Sequence, residues 1–275
     1  MGHAVNAVYV WSIARAFGGS VVVRIEDHDA QRARAAFDAA IQADLAWLGL
    51  KGDNEALGLP APVSQQGQAH VYDSALDELR GRALVYACRC SRRDIAARNG
   101  TDADDEVRYP GTCRDANVPP AETPARRVRV GDAKVRFDDL RHGTQVQWPQ
   151  QQCGDVLVRD RHAQWTYQFA VVVDDHRQDI DVIIRGDDLL ASTGRQFRLA
   201  ALLDRPAMPF VLHHALVTHP DGTKLSKSRG DTSLTELRDA GWSAARVLGH
   251  AAWMGGLQSK PQELGADELA RLWLA

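Results

Sequence analysis

Apolar positions recur at helical spacing over residues 4–17, where Val5, Val8, Ile13 and Phe17 stand among small alanines. This predicts a helix that starts almost at the first residue and ends at Gly18-Gly19. Val21-Val22-Val23-Arg24-Ile25 is a β-branched run that fits a short strand buried on both faces of a parallel sheet. Phe37, Ile41, Leu45 and Leu48 restore the helical period as far as Gly49. A Pro- and Gly-rich loop at 58–62 leads to a third helix with Tyr72, Ala75, Leu76 and Leu79 on one face.

From about residue 82 to 155 the helical period fades. Arginines, prolines and short β-like pieces such as Val128-Arg129-Val130 replace it, with an acidic loop at Asp102, Asp104, Asp105 and Glu106. The change predicts an inserted module, irregular or antiparallel. Val156-Leu157-Val158 and Val182-Ile183-Ile184 resume the buried-strand pattern. Leu234, Leu237, Val247, Leu248, Trp253 and Leu257 predict a helical C-terminal region with Trp242 and Trp253 in its core. The expected architecture is α/β: a Rossmann-like nucleotide-binding domain in two halves, 1–81 and 156–215, split by an insertion at 82–155, with a loop and small helical region at 216–275.

Composition narrows the classes. With 44% apolar and 25% charged residues the chain is ordinary for a folded protein, which excludes wholesale disorder. No run approaches the roughly 18 apolar residues that span a bilayer, and the first residues carry no basic signal region. The expectation is a cytoplasmic protein without membrane contact. Across 275 residues, 33 Lys+Arg against 36 Asp+Glu leave a formal charge of -3, which argues against a general nucleic-acid coat but allows a local basic patch. Arg89, Arg92, Arg93, Arg108, Arg114, Arg126, Arg127 and Arg129 are candidates for it, with a solvated surface as the alternative. Four cysteines are too few and too unevenly spaced for a disulfide scaffold.

Four segments carry candidate chemistry. Gly2-His3 opens a helix, where a glycine lets phosphate approach the backbone and the helix end favours negative charge. Thr223-Lys224-Leu225-Ser226-Lys227-Ser228 follows an Asp-Gly turn, and its ammonium and hydroxyl groups suit a polyphosphate in transfer. Arg24-Ile25-Glu26-Asp27-His28-Asp29 sits at the carboxyl end of an expected strand, where ligands bind in parallel sheets and a carboxylate can grip an amino group. Cys88 and Cys90, followed by Tyr109-Pro110-Gly111-Thr112-Cys113, supply three thiolates suited to tetrahedral zinc. The fourth ligand is open among Tyr109, His142 and water. Cys153 reads as a small buried hydrophobe.

The glycine-histidine pair and the K-L-S-K-S loop resemble the two ATP signatures of the class I aminoacyl-tRNA synthetases. The R-I-E-D-x-D segment, Tyr167-Gln168-Phe169-Ala170-Val171-Val172-Val173-Asp174-Asp175 and Val182-Ile183-Ile184-Arg185-Gly186-Asp187-Asp188 resemble the glutamyl branch, and within it the short glutamyl-queuosine type. That resemblance implies ATP and Mg2+, glutamyl-adenylate formation from L-glutamate, and transfer to the queuosine of tRNA(Asp) rather than to a 3′ end, by a monomer. Glu26, Tyr167 and Arg185 match the glutamate-binding positions. Gly2, His3, Lys224, Ser226 and Lys227 match the ATP contacts, with His3, Lys224 and Lys227 as the catalytic group. Cys88, Cys90, Tyr109 and Cys113 match a zinc site in which the tyrosine is a ligand. The family carries a strand and loop ahead of its first ATP motif, whereas this sequence opens at Met1-Gly2-His3, so an open slot in the sheet is expected. The rival expectations are a fragment that charges the 3′ end and a non-catalytic tRNA- or zinc-binding module.

Overall fold

A computed structural model describes residues 1–28, 35–100, 107–217 and 233–274. Helix α1 (Gly2–Ala16) buries Ala4, Val5, Ala7 and Val8 along one side, the spacing its sequence dictates. Phe17 does not join that face; it caps the helix and is 71% exposed. α1 packs on α9 (Ala244–Met254) and on the final 3-10 turn Ala266–Leu272. Val5, Val8, Val247, Leu248, Ala251 and Leu269 form the centre of this first core. Each such fully buried Val or Leu contributes about 1.5–3 kcal/mol relative to exposure. The Tyr9 hydroxyl donates to Gly255 O at 2.7 Å, and the Trp273 indole donates to Ser12 Oγ at 2.8 Å, which lock the C-terminal region onto α1.

The strand expected over Val21–Ile25 is shorter. β1 comprises Arg24–Ile25, parallel to β2 (Val63–Ser64). Upstream, side chains replace the ladder: Val21 N–H donates to Asp53 Oδ2 and Val23 N–H to Asn54 Oδ1, both at 2.8 Å. The Asn54 amide returns a bond to Val23 O at 2.9 Å, which also accepts Val63 N–H of β2 at 3.2 Å, and Asp53 N–H donates to Val21 O at 2.7 Å, so these backbone groups are satisfied. Between β1 and β2 runs α2 (Ala35–Trp47). Its Ile41 faces outward at 42% exposure, while Leu48, just past the helix end, enters the first core.

The main sheet has the order β6-β5-β9-β8. β8 (Val182–Gly186) runs parallel to β9 (Phe210–His214), with Ile183 opposite Val211 and Arg185 opposite His213. Helix α7 (Leu190–Leu202) makes the crossover between them. β9 meets β5 (Val135–Asp139) in parallel at Asp139–Val211, and β5 turns back into β6 (Gly143–Gln147). Thus a hairpin from the middle of the chain extends the sheet of β8 and β9. β8 is less buried than its β-branched run implies: Val182 is 37% exposed and Ile183 and Ile184 are half-buried. Among the described residues β8 pairs with β9 alone and is in a different sheet from β1. Close to β1, Arg24 Nε and Gln178 Nε2 are buried without hydrogen-bond partners.

A second sheet, β3-β4-β7, is antiparallel and built from β3 (Val85–Ala87), β4 (Arg126–Val128) and β7 (Val156–Arg159). β7, whose sequence resembles the buried strand of a parallel sheet, is therefore antiparallel here. α3 (Ala69–Gly81) and α6 (Tyr167–Arg177) cover this sheet, and Tyr72, Leu76, Leu79, Phe169, Val128 and Val158 fill the second core. A third, small cluster of Ala87, Cys88, Ile95, Tyr109, Cys113 and Val118 surrounds the thiols. It includes α4 (Arg92–Asn99), which a Ser91–Asp94 capping box begins. Short helices α5 (Pro149–Gln152) and α8 (Leu234–Asp239) complete the described elements. None of the described helices is long and apolar enough to cross a membrane.

Candidate active site

Three of the expected site residues meet where strand ends converge. Glu26 follows β1, Tyr167 opens α6, and Arg185 lies near the carboxyl end of β8. Glu26 is partly exposed, Tyr167 half-buried and Arg185 only 7% exposed. Burial pushes the Tyr167 phenol up, the Glu26 charge adds to this, and Arg185 opposes it, so the hydroxyl keeps its proton. Burial pulls the Arg185 guanidinium down, against the stabilising influence of Tyr167, Asp175 and Glu26. Arg185 is therefore a buried cation short of counter-charge, a setting that favours an anionic ligand.

Beneath these residues lies a layer that joins Arg24, His28, Asp174 and Asp175, from the segments marked in the sequence, to Gln65, Tyr72 and Gln178, which were given no site role there. Arg24 Nη1 donates to Asp175 Oδ1 at 2.9 Å and to Gln178 Oε1 at 3.1 Å. Burial works against the Arg24 charge, but Asp175, Glu26 and Asp174 outweigh it. Asp174 Oδ2 accepts from the Tyr72 hydroxyl and from Gln65 Nε2, both at 2.8 Å. Gln65 Oε1 in turn stands 2.7 Å from His28 Nδ1, and the His28 ring lies 6.4 Å from Tyr167. The pair Asp174-Asp175 thus ties α6 to β1 and α3. Arg24, Asp174 and Asp175 lie in segments that the resemblance marked; Gln65, Tyr72 and Gln178 carried no such signal.

Gly2 and His3 are exposed in the first turn of α1, whose N-terminus carries neither a side-chain cap nor an acidic residue. Among the described residues nothing stands within 4 Å of a Cβ placed on Gly2. His214, at the end of β9, joins Asn6 through Nε2 at 3.1 Å and stacks on Tyr9 at 4.8 Å. These bonds hold the start of α1 at the carboxyl edge of the main sheet. Lys224, Ser226 and Lys227, with the rest of the K-L-S-K-S loop and Asp29, lie outside the described residues.

The Sγ atoms of Cys88, Cys90 and Cys113 lie within 4.8 Å of one another. The Tyr109 hydroxyl stands 3.5 Å from Cys88 Sγ and accepts Cys113 N–H at 2.8 Å. Burial, reinforced by the neighbouring thiols, pushes Cys90 up to about 12. Three thiols and a phenol at this spacing fit a tetrahedral zinc ion. His142 belongs elsewhere: its Nε2 bonds Asp187 Oδ1 at 2.7 Å. Gly154 adopts φ +68°, and a Cβ there would stand 2.2 Å from Tyr109 O, so the close approach that seats Tyr109 requires glycine.

Most of the arginines around this arm have internal partners. Arg127 is buried, donating to Cys88 Sγ at 3.3 Å and Asp155 O at 2.7 Å, with its guanidinium 3.7 Å from the centre of the Tyr109 ring. Arg114 pairs with buried Asp155 at 2.6 Å, Arg126 donates to Thr123 O at 2.6 Å, and Arg129 pairs with Asp115 at 3.2 Å. Arg89, Arg92 and Arg93 are exposed. Trp253 is 41% exposed rather than core, because α9 turns it away from α1 and toward His250, at 5.1 Å. Cys153 is half-buried, with its thiol on Pro149 O at 3.2 Å.

The class of the protein follows from sequence comparison. The profile described as tRNA synthetases class I (E and Q), catalytic domain, matches residues 1–267, and the chain belongs to this family. It is a ligase-type enzyme of the aminoacyl-tRNA synthetase kind. The chain is 36% identical, over 98% of its length and 86% of the relative, to the glutamyl-Q tRNA(Asp) synthetase of Symbiobacterium thermophilum. It is 41% identical, over 92% of its length and 89% of the relative, to the protein of that name from Verminephrobacter eiseniae. The fold matches a glutamate tRNA ligase from Elizabethkingia meningosepticum with a TM-score of 0.80 at 22% identity. That match covers 98% of this chain and 61% of the ligase chain.

Proposed function

We propose that this enzyme activates L-glutamate with ATP and transfers the glutamyl group to the queuosine of tRNA(Asp). The observation that carries the glutamate reading is the buried cation Arg185 beside Tyr167 and Glu26. In adenylate formation the α-carboxylate attacks the α-phosphorus and pyrophosphate leaves. The arginine that stays paired through the reaction therefore holds the other carboxylate, that of the side chain. Glutamine lacks this charge, so Arg185 would discriminate against it. Glu26 accepts from the α-ammonium, and the Tyr167 hydroxyl orients the substrate between them.

The uncapped start of α1 suits the phosphates of ATP. Lys224, Ser226 and Lys227 would neutralise charge on the transferring phosphoryl group, and Mg2+ would supply the same on the leaving pyrophosphate. Cys88, Cys90, Cys113 and Tyr109 would hold zinc, which supplies a structural cross-link. What supports queuosine as acceptor is the identity to, and coverage of, the two glutamyl-Q tRNA(Asp) synthetases.

The test has two stages. Glutamate-dependent ATP–pyrophosphate exchange without tRNA is expected, and is expected to vanish in Lys227→Ala. Radiolabelled glutamate should then enter tRNA(Asp) only when the tRNA carries queuosine. Labelling of tRNA(Glu) instead would sink the acceptor assignment and favour 3′-end charging. Absence of exchange would remove the catalytic claim for this chain.

A further inference from the structure

Neighbouring side chains, rather than solvent, set the orientation of Arg185. Its Nε donates to His213 Nε2 at 3.0 Å, and its Nη2 donates to Thr193 Oγ1 at 2.9 Å. His213 Nδ1 stands 2.6 Å from Asp139 Oδ2, and both side chains are 0% exposed. Asp139 receives three further donors: the N–H groups of Arg141 and His142 on Oδ1, at 2.9 and 2.8 Å, and that of His213 on Oδ2, at 3.1 Å. Burial alone would raise this carboxyl, yet the bonds from His213, His142 and Arg141 hold it below its ordinary range.

The proton arrangement follows by elimination. An ionised Asp139 only accepts, so Nδ1 of His213 must carry a hydrogen. A neutral imidazole then has its lone pair on Nε2, where the Arg185 Nε–H points. The other tautomer would turn a bare Nδ1 lone pair on the Asp139 carboxylate and set Nε2–H against the Arg185 N–H, even though Thr193 Oγ1, 3.1 Å from Nε2, offers that hydrogen an oxygen; the imidazolium would set one positive charge against another. Burial, first, and the Arg185 charge keep His213 below its ordinary value, against the pull of Asp139 and Asp187. The other charged or titratable groups at this face are Arg141, whose Nη1 lies 3.5 Å from His213 O, and His142, both paired with Asp187.

We propose that Asp139 and His213 form a positioning relay for Arg185. Asp139 selects the Nδ1–H tautomer, and His213 Nε2 fixes the guanidinium plane. With Nε held by His213, one Nη2 hydrogen by Thr193 and a further bond to the Tyr167 hydroxyl, the guanidinium offers a carboxylate its remaining hydrogens in a fixed plane. The relay rests on the glutamate reading of Arg185 and extends it to two residues that do not themselves touch substrate.

Imidazole 15N NMR of the full chain, with the His213 signal assigned by its loss in His213→Gln, reads the tautomer. The expected result is a hydrogen on Nδ1 at neutral pH; a hydrogen on Nε2 overturns the relay. Calorimetry with L-glutamate supplies the functional arm. His213→Asn retains a group near Asp139 but is too short to reach Arg185, and should weaken glutamate binding about tenfold, the effect of one lost charge-assisted bond. His213→Gln carries an amide oxygen to the position of Nε2 and should recover most of that loss. Wild-type affinity should also fall as the pH passes through the depressed value of the buried His213, which lies below the ordinary 6.5, and this dependence should be absent in His213→Gln. Unchanged affinity in His213→Asn, with Arg185→Ala impaired, overturns the relay alone. Wild-type affinity in Arg185→Ala, or no glutamate binding by the wild-type chain, overturns the glutamate reading and the relay with it.

Discussion

Buried carboxylates organise both chemical regions of the molecule. Asp155 does at the cysteine arm what Asp139 does beneath Arg185. Its oxygens accept from the Tyr86 hydroxyl at 2.7 Å, from Arg114 Nε at 2.6 Å and Nη2 at 2.9 Å, and from Val130 N–H at 3.2 Å. Removing it would leave several buried donors without an acceptor. Asp155→Ala should therefore cost about 3–5 kcal/mol in urea unfolding, and a loss below 1 kcal/mol would contradict this account. Asp139 and His213 also make stability depend on pH. A histidine held below its ordinary 6.5 is protonated first in the unfolded chain, so its contribution is complete above 6.5 and declines as the pH falls below it. Asp139, held below its ordinary 3.8, adds a second loss only below that value. Asp175, pushed up by burial, acts in the opposite sense, so a difference profile is needed. Wild type minus His213→Gln, followed by melting temperature, should be flat above 6.5 and shrink below it.

At the scale of elements, α1 has two roles. Its first turn is the proposed phosphate site, and its apolar side carries the C-terminal region. The contact between α9 and the loop after it is close: a Cβ on Gly249 would stand 1.8 Å from Gln262 O and 2.6 Å from its carbonyl carbon. Backbone cannot yield as a flexible side chain can. Gly249→Ala should destabilise by about 1–3 kcal/mol through overpacking, read as a lowered melting midpoint. A neutral result would mean that the loop at 258–264 packs less tightly than described. Other elements were legible in one dimension to different degrees. α1 and α3 were clear because their apolar residues recur every three to four positions and one face is buried. The run at Val21–Val23 misled, since its β-branched composition suggests a ladder. The N–H groups of Val21 and Val23 bond instead to the side chains of Asp53 and Asn54, some thirty positions later, and Val23 O reaches Val63 N–H of β2. The hairpin β5–β6 reads locally as part of the insertion, and only the pairing of Asp139 with Val211 carries it into the main sheet.

At the scale of the whole molecule, three apolar clusters differ greatly in size. The first joins α1, α9 and the C-terminal turn, and the second fills the space between α3, α6 and the antiparallel sheet. The third, around the thiols, holds only six buried residues. A cluster that small cannot order its segment by burial alone, and a metal bound there would supply the difference. If zinc occupies the site, a chelator should raise hydrogen exchange over residues 85–118 while leaving protection in α1, α6 and α9 unchanged. Global loss of protection on chelation would show that the clusters unfold together. Unchanged exchange throughout, in protein shown by elemental analysis to have lost zinc, would remove the metal's structural role.

The sequence alone determined what depends on local period and on residue type. The α/β character, the main helices, the three cysteines and the glutamate-type segments were readable because each is written within a few turns of chain. Tertiary structure decided the partners. Which arginines are held inside the protein followed from partners such as Asp115 and Asp155, and not from their spacing. Arg185 could be marked in one dimension as a ligand residue. What orients it, Asp139 at 46 positions before and His213 at 28 after, meets it only because β5, β9 and β8 lie side by side in one sheet. A hydrogen bond is satisfied by distance in space, and separation along the chain carries no record of it.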